Sequence, residues 1–164
     1  MKYVLIGKIV NTHGLKGEVR ILSDFKYKTK VFKRGMKVYI GKDKIGEEIN
    51  SYRYHKIFDM ITMCGYNDIN QILKYKGEYI FVNREDLILE KNEYLDEDII
   101  GMSVYVGDRL LGVVRKIEKH SVNEIIVIKN DEKNYLVPYN FDIILSIDLE
   151  KRKMYVKDIV GLFD

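Results

Sequence analysis

Tyr3-Val4-Leu5-Ile6-Gly7-Lys8-Ile9-Val10 and, after a short gap, Glu18-Val19-Arg20-Ile21-Leu22 are the two segments that decide the fold class. Both are rich in apolar and β-branched side chains, which suit a pleated, half-buried surface. Between them runs Thr12-His13-Gly14-Leu15-Lys16-Gly17. Gly14 and Gly17 permit positive φ and close backbone approach, so the segment reads as a tight connection between strands.

The same style continues downstream. Strands are expected at Met36–Ile40, Glu48–Ile57, Phe58–Cys64 and Glu78–Val82, with Gly41-Lys42-Asp43-Lys44 as a polar turn. In Glu48–Ile57 the period of two places Ile49, Ser51, Arg53 and His55 on one side and Tyr52, Tyr54 and Lys56 on the other. One segment breaks this pattern. Asp68 stands three residues before Gln71, Ile69, Ile72, Leu73 and Lys76 follow at helical spacing, and Gly77 supplies a stop, so a helix of two to three turns is expected there.

Past Asn83 the chain becomes acidic and polar around Leu87-Ile88-Leu89, and strands return near Ile99. Ile99–Val106 and Arg109–Glu118 flank Gly107-Asp108. Glu124–Lys129 and Asn134–Pro138 flank Asn130–Lys133, and Ile143–Asp148 and Met154–Val156 flank Leu149–Lys153. Short strands at regular intervals point to a compact antiparallel barrel or sandwich. The expected organisation is all-β: one small antiparallel β-barrel over residues 1–90 with a single short helix, a linker over 91–98, and a second barrel over 99–164.

Composition agrees. Of 164 residues, 59 are Ile, Val, Tyr, Phe or Thr, and alanine, the best intrinsic helix former, is absent. Helical bundles and coiled coils are thereby disfavoured. Apolar runs of about five residues fall far below the roughly 20 needed to span a bilayer. The N-terminus lacks the apolar core and cleavage site of a signal peptide, and Cys64 has no second cysteine to pair with. A cytosolic, membrane-free protein is expected. Charge is divided unevenly: residues 1–90 carry 17 Lys and Arg against 11 Asp and Glu, whereas residues 91–164 carry 11 against 14. A basic half joined to an acidic half implies two surfaces with different partners.

Catalytic and metal motifs are missing. His13, His55 and His120 are far apart and lack partners at metal-ligand spacing, there is no phosphate-wrapping loop or nucleophile elbow, and Asp96-Glu97-Asp98 reads as a solvated run. Two segments remain. The Thr12–Gly17 loop is either plain strand geometry or a contact loop in which amides and Lys16 meet phosphate. Phe25–Lys37 holds Lys26, Lys28, Lys30, Lys33, Arg34 and Lys37 without one acidic residue, interleaved with Phe25, Tyr27 and Phe32. It is either a phosphate-neutralising cluster whose aromatics stack on unpaired bases, or a solvated loop whose aromatics cover the barrel end. Tyr52, Tyr54 and Tyr75 are expected to pack the barrel.

Taken in order, Gly7-Lys8-Ile9-Val10-Asn11-Thr12-His13-Gly14-Leu15-Lys16-Gly17-Glu18-Val19, Lys76-Gly77, Asn83-Arg84-Glu85-Asp86-Leu87, Asp98-Ile99-Ile100-Gly101-Met102-Ser103-Val104, Leu111-Gly112-Val113-Val114, Leu136-Val137-Pro138-Tyr139 and the Ile147-Asp148 to Gly161-Leu162 tail resemble the motifs of the RimM family of bacterial ribosome maturation factors. The resemblance covers essentially the whole chain. It implies a barrel similar to domain two of translation elongation factors followed by a PRC-type barrel. It also implies a non-enzymatic, chaperone-like assembly factor without cofactor or metal, which binds the free 30S subunit, contacts ribosomal protein S nineteen and assists maturation of the 16S rRNA head. A monomer is the default expectation.

The same resemblance places an aromatic pair, used in ribosome binding, at Tyr94-Leu95, where this chain keeps only the first aromatic. The rRNA contacts are expected on the first barrel, at His13, Gly14, Lys16, Gly17, Lys26, Lys28, Lys30, Lys33 and Arg34. Rival expectations are a flavin-binding barrel enzyme, since fold alone does not exclude catalysis, and a PRC-type adaptor working away from the ribosome.

Overall fold

The structure is a computed structural model describing residues 1–159, so Gly161 and Leu162 of the family-like tail lie outside the described residues. The chain divides into two compact units, the first ending at Ile88 and the second beginning at Leu89.

The first unit contains β1 (Tyr3–His13), β2 (Glu18–Leu22), α1 (Lys28–Val31), β3 (Lys37–Ile40), β4 (Ile45–His55), β5 (Phe58–Met63), α2 (Ile69–Ile72) continued by a 3₁₀ turn at Leu73–Tyr75, and β6 (Tyr79–Asn83). The six strands pair antiparallel in the order β1-β2-β5-β4-β3-β6, and β6 returns to β1 to close the barrel. Every strand sends apolar side chains inward, among them Ile6, Ile21, Val38, Ile49, Ile61 and Ile80, all essentially without exposed surface. Each such burial contributes roughly 1.5–3 kcal/mol against the entropy of ordering the chain.

Strict alternation fails where the ladders slip. Bulges lie between Leu5 and Gly7, between Ile9 and Asn11, and between Ile49 and Ser51. An extra residue in one strand switches which side chains face inward beyond it and bends the strand, which helps a six-stranded sheet to close.

The expected helix forms, shorter than two to three α turns, as α2 with its 3₁₀ continuation ending at Tyr75, and its capping signals hold. The Asp68 side chain accepts from the amide of Asn70, and Gln71 Oε1 accepts from the amide of Asp68 at 3.2 Å. Contrary to the expectation of a single helix, a turn of helix also forms at α1 within the lysine-rich loop, and another within the second unit.

The second unit contains α3 (Asp96–Ile99), β7 (Ser103–Val106), β8 (Arg109–His120), β9 (Asn123–Lys129), β10 (Asn134–Pro138), β11 (Ile144–Asp148) and β12 (Lys153–Val156). Its strands are ordered β10-β9-β8-β7-β12-β11, antiparallel except for β7 and β12, which run parallel. All six strands contribute to one core, with Val104, Leu111, Ile126, Val137, Ile144 and Met154 at its centre and Ile99 of α3 added from outside the sheet.

The acidic run Asp96-Glu97-Asp98 forms the first turn of α3, where carboxylates are electrostatically favourable. The carbonyls at the other end are held by Arg152, whose guanidinium donates to Asp98 O and, at 2.9 Å, to Ile100 O. These bonds fix a stretch that composition alone describes as linker.

Candidate functional site

The lysine-rich loop follows β2 and is pinned beneath the β4–β5 hairpin. Asp59 of β5 pairs with Ile21 on one side and Tyr54 on the other, so its side chain shares their inward face. It has no exposed surface. Tyr52 donates its hydroxyl to Asp59 Oδ1 at 2.6 Å, and Lys28 Nζ stands 2.8 Å from Oδ2. Burial and the neighbouring Asp59 carboxylate both push the Tyr52 phenol above its ordinary range, so it stays a donor. Lys28 also lies over the Tyr54 ring at 5.7 Å. Lys30 donates to the Ile88 carbonyl at 3.1 Å.

Of the six basic residues in this loop, then, Lys28 and Lys30 help hold the loop in place. Lys26, Lys33, Arg34 and Lys37 are exposed. Tyr27 and Phe32 are buried, and Phe32 stacks on Tyr52 with centroids 6.0 Å apart. Of the two readings of this loop, Tyr27 and Phe32 follow the one in which its aromatics cover the barrel end, whereas Phe25 is half-buried. Tyr75 packs the barrel as expected, whereas Tyr52 and Tyr54 retain 39% and 59% exposure.

The Thr12–Gly17 connection is anchored to α2. The amide of Ile69 donates to the Leu15 carbonyl at 3.0 Å. Gly17, at φ +89°, lies so close to Asp68 that a Cβ would meet its backbone at 3.3 Å. Gly14 has open space around it, and Leu15 and Lys16 are exposed at the tip. His13 is half-buried, and its Nδ1 accepts from Arg20 at 2.6 Å.

Arg20 belongs to an outward row, Arg20–Met60–Arg53, set by direct pairing across β2, β5 and β4. Arg53 makes two bonds to the Glu18 carboxylate, at 2.7 and 2.9 Å, reaching across β5 to do so. The guanidinium holds the Glu18 carboxyl below the usual range. These long side chains explain why Met60 is fully buried although its direct partners project outward.

In the second unit, Tyr94 is half-buried and stacks on Phe141, with centroids 6.1 Å apart and planes 27° apart, and Tyr139 meets Phe141 edge-on at 6.2 Å. Leu95 is buried at 4% exposure. Tyr94 thus finds an aromatic neighbour in Phe141, a residue remote in sequence that no local pattern singles out. Asp59 is equally hidden in the sequence, the single carboxylate of the mostly apolar stretch Phe58-Asp59-Met60-Ile61-Thr62-Met63.

The chain is thus two β-rich units, one with an anchored basic loop and one with an aromatic cluster beside a short acidic helix, and among the described residues no helix is long and apolar enough to cross a membrane. Residues 4–87 match the RimM N-terminal domain and residues 96–162 match the RimM PRC barrel domain. A ribosome maturation factor RimM of Staphylococcus haemolyticus is 38% identical over 98% of this chain and 99% of its own. One from an Exiguobacterium species is 36% identical over 100% of this chain and 98% of its own. A crystal structure of RimM from Pseudomonas aeruginosa is 25% identical over 96% of this chain and 98% of that one, with a TM-score of 0.44. The chain belongs to the RimM family of ribosome maturation factors.

Proposed function

We propose that this protein assists maturation of the 16S rRNA head by binding the free 30S subunit through rRNA and ribosomal protein S nineteen, without covalent chemistry. The observation that carries the rRNA part is the anchored basic loop. Asp59, through Lys28, fixes the course of the loop, so Lys26, Lys33 and Arg34 project from a defined support rather than a floppy one. Basic side chains held on such a support lose less conformational entropy when they meet phosphates. Lys16 at the β1–β2 tip adds a further exposed cation, and His13, Gly14 and Gly17 shape that tip.

For the protein partner, support comes from the excess of acidic residues in 91–164 and from the Tyr94–Phe141 stack. Opposite potentials steer association with a basic ribosomal protein, and rigid aromatic anchors give contact area at small entropic cost. Leu95 serves by burial, holding the start of α3 from which Tyr94 is displayed. The protein works as a cytosolic monomer.

Turnover of such a factor requires only that it bind the immature particle more tightly than the mature one. A hundredfold difference corresponds to about 2.7 kcal/mol, within reach of a few lost contacts. Affinity capture of the full chain from growing cells, with both RNA and protein identified, tests the proposal. Recovery of 16S rRNA precursor and ribosomal protein S nineteen is expected, and recovery of neither would overturn it.

A further inference from the structure

The outward face of β1, β6 and β3 carries an aromatic set that the basic loop leaves unused. Leu5 pairs with Phe81, and Phe81 pairs with Tyr39, so the three project from one face. The neighbouring pairs Val4–Val82 and Ile40–Ile80 are buried, which assigns the Leu5 row to the outside. Two residues along β1 and β6, Tyr3 and Tyr79 share this outward direction.

The rings meet edge to face rather than closing on one another. Tyr3 and Tyr39 have centroids 5.2 Å apart with planes at 63°, and Tyr3 and Phe81 stand 6.4 Å apart at 67°. Tyr79 is 50% exposed and Leu5 51%. Gly46, the partner of Tyr39 on β4, adds no side chain, and the Tyr39 ring lies 3.6 Å from where its Cβ would stand.

Cations line the same face. Lys44 Nζ is 4.3 Å from the Phe81 centroid and 5.5 Å from that of Tyr3, and Lys8 Nζ is 5.4 Å from Tyr79. Lys37, two residues from Tyr39, pairs with Glu48, the carboxylate at the border of the patch. An aromatic sheet face with ammonium groups lying over its rings suits a chain of unpaired bases, which take the place of the lysines on the rings while the displaced ammonium groups meet the phosphates. A duplex offers phosphates but no free base faces. A purely apolar protein partner would have to bury the ammonium groups of Lys8 and Lys44.

We propose that the face formed by Tyr3, Tyr39, Tyr79 and Phe81, with Lys8 and Lys44, is a second nucleic-acid surface that takes single-stranded RNA by base stacking. It rests on the proposed engagement of rRNA by the first unit but is separate from the basic loop in residues and in mode of binding.

The test uses the full chain, a labelled single-stranded oligouridine and a labelled RNA duplex of equal length. The single strand is expected to bind at least fivefold more tightly than the duplex. Tyr79→Ala and Phe81→Leu are each expected to weaken single-strand binding at least fivefold, and Lys44→Gln to weaken it and lower its salt dependence. Tyr79 is half exposed, so Tyr79→Ala is expected to keep the wild-type unfolding midpoint and remains informative if Phe81→Leu loosens the sheet. Equal affinity for duplex and single strand would overturn base stacking. Unchanged binding in the Tyr79 and Phe81 variants, together with loss in Lys33→Glu/Arg34→Glu, would overturn this surface and leave the basic loop standing. Binding of neither RNA by the wild type at low salt would overturn both.

Discussion

Lys28 Nζ lies 2.8 Å from the carboxylate of Asp59, and that carboxylate has no exposed surface. The pair joins the basic loop to the barrel wall beside the β4–β5 hairpin, so a lysine that looks like surface charge in the sequence is a structural ion. Removing one member of a buried pair leaves the other without compensation.

Lys28→Ala should therefore destabilise the protein by about 2–3 kcal/mol, well beyond the ±0.5 kcal/mol of an ordinary surface change. Asp59→Ala should cost less than Lys28→Ala, because Lys28 is 30% exposed and can turn to water. Urea unfolding of the two variants checks this. A Lys28→Ala effect under 0.5 kcal/mol would contradict the role given to the pair.

The same pair decides how RNA contact should be probed. Reversing Lys28 or Lys30 to Glu would disturb the loop itself, whereas Lys26→Glu, Lys33→Glu and Arg34→Glu act on exposed groups. The triple change should weaken binding to 16S rRNA fragments and reduce the slope of log affinity against log salt by about two to three. Filter binding across a salt series measures it, and an unchanged slope would place the rRNA contact elsewhere.

Glu18 gives a pH signature. Its carboxyl is held low by Arg53, so the folded state gains from this pair above the unfolded carboxylate range and loses that gain as pH falls through the folded value. Glu18→Gln should lower stability near neutrality by about 0.5 kcal/mol, since the pair is partly exposed. The difference from wild type should fade as acid protonates Glu18 in both states. Denaturant curves at neutral and acid pH test the sign.

Gly112 packs against β9. A Cβ there would stand 2.4 Å from the Lys129 carbonyl oxygen, a backbone atom that cannot swing away. Gly112→Ala should destabilise the second unit by about 1–3 kcal/mol. Hydrogen exchange should quicken in β8 and β9 while the amides of the first barrel keep their protection.

Local chemistry made much of this fold legible. Strands β2 and β9 follow from runs rich in β-branched residues next to polar turns, and α2 follows from Asp68 and Gln71. What stayed hidden depends on pairing across the sheet. Asn50 looks like any strand residue until the slip between Ile49 and Ser51 shows it as a bulge, so Tyr52 and Tyr54 fall on the side of Asp59 yet remain exposed at the barrel end. The helical turn at Lys28–Val31 has no side-chain cap and no apolar period, and it depends on Val31 and Phe32 being drawn into the core. Of the site, the basic residues were legible as a cluster. The division between anchoring and displayed cations was not, because it depends on Asp59, which lies in a different strand. Phe141, between β10 and β11, meets Tyr94, ahead of α3, only in the folded second unit.

A factor that acts during maturation should favour the immature small subunit over the finished ribosome. Sucrose-gradient sedimentation of cell extract, with the protein followed by immunoblot, measures this preference. Migration with free 30S particles and exclusion from 70S ribosomes is the predicted result. Migration with 70S ribosomes and absence from free 30S particles would contradict it.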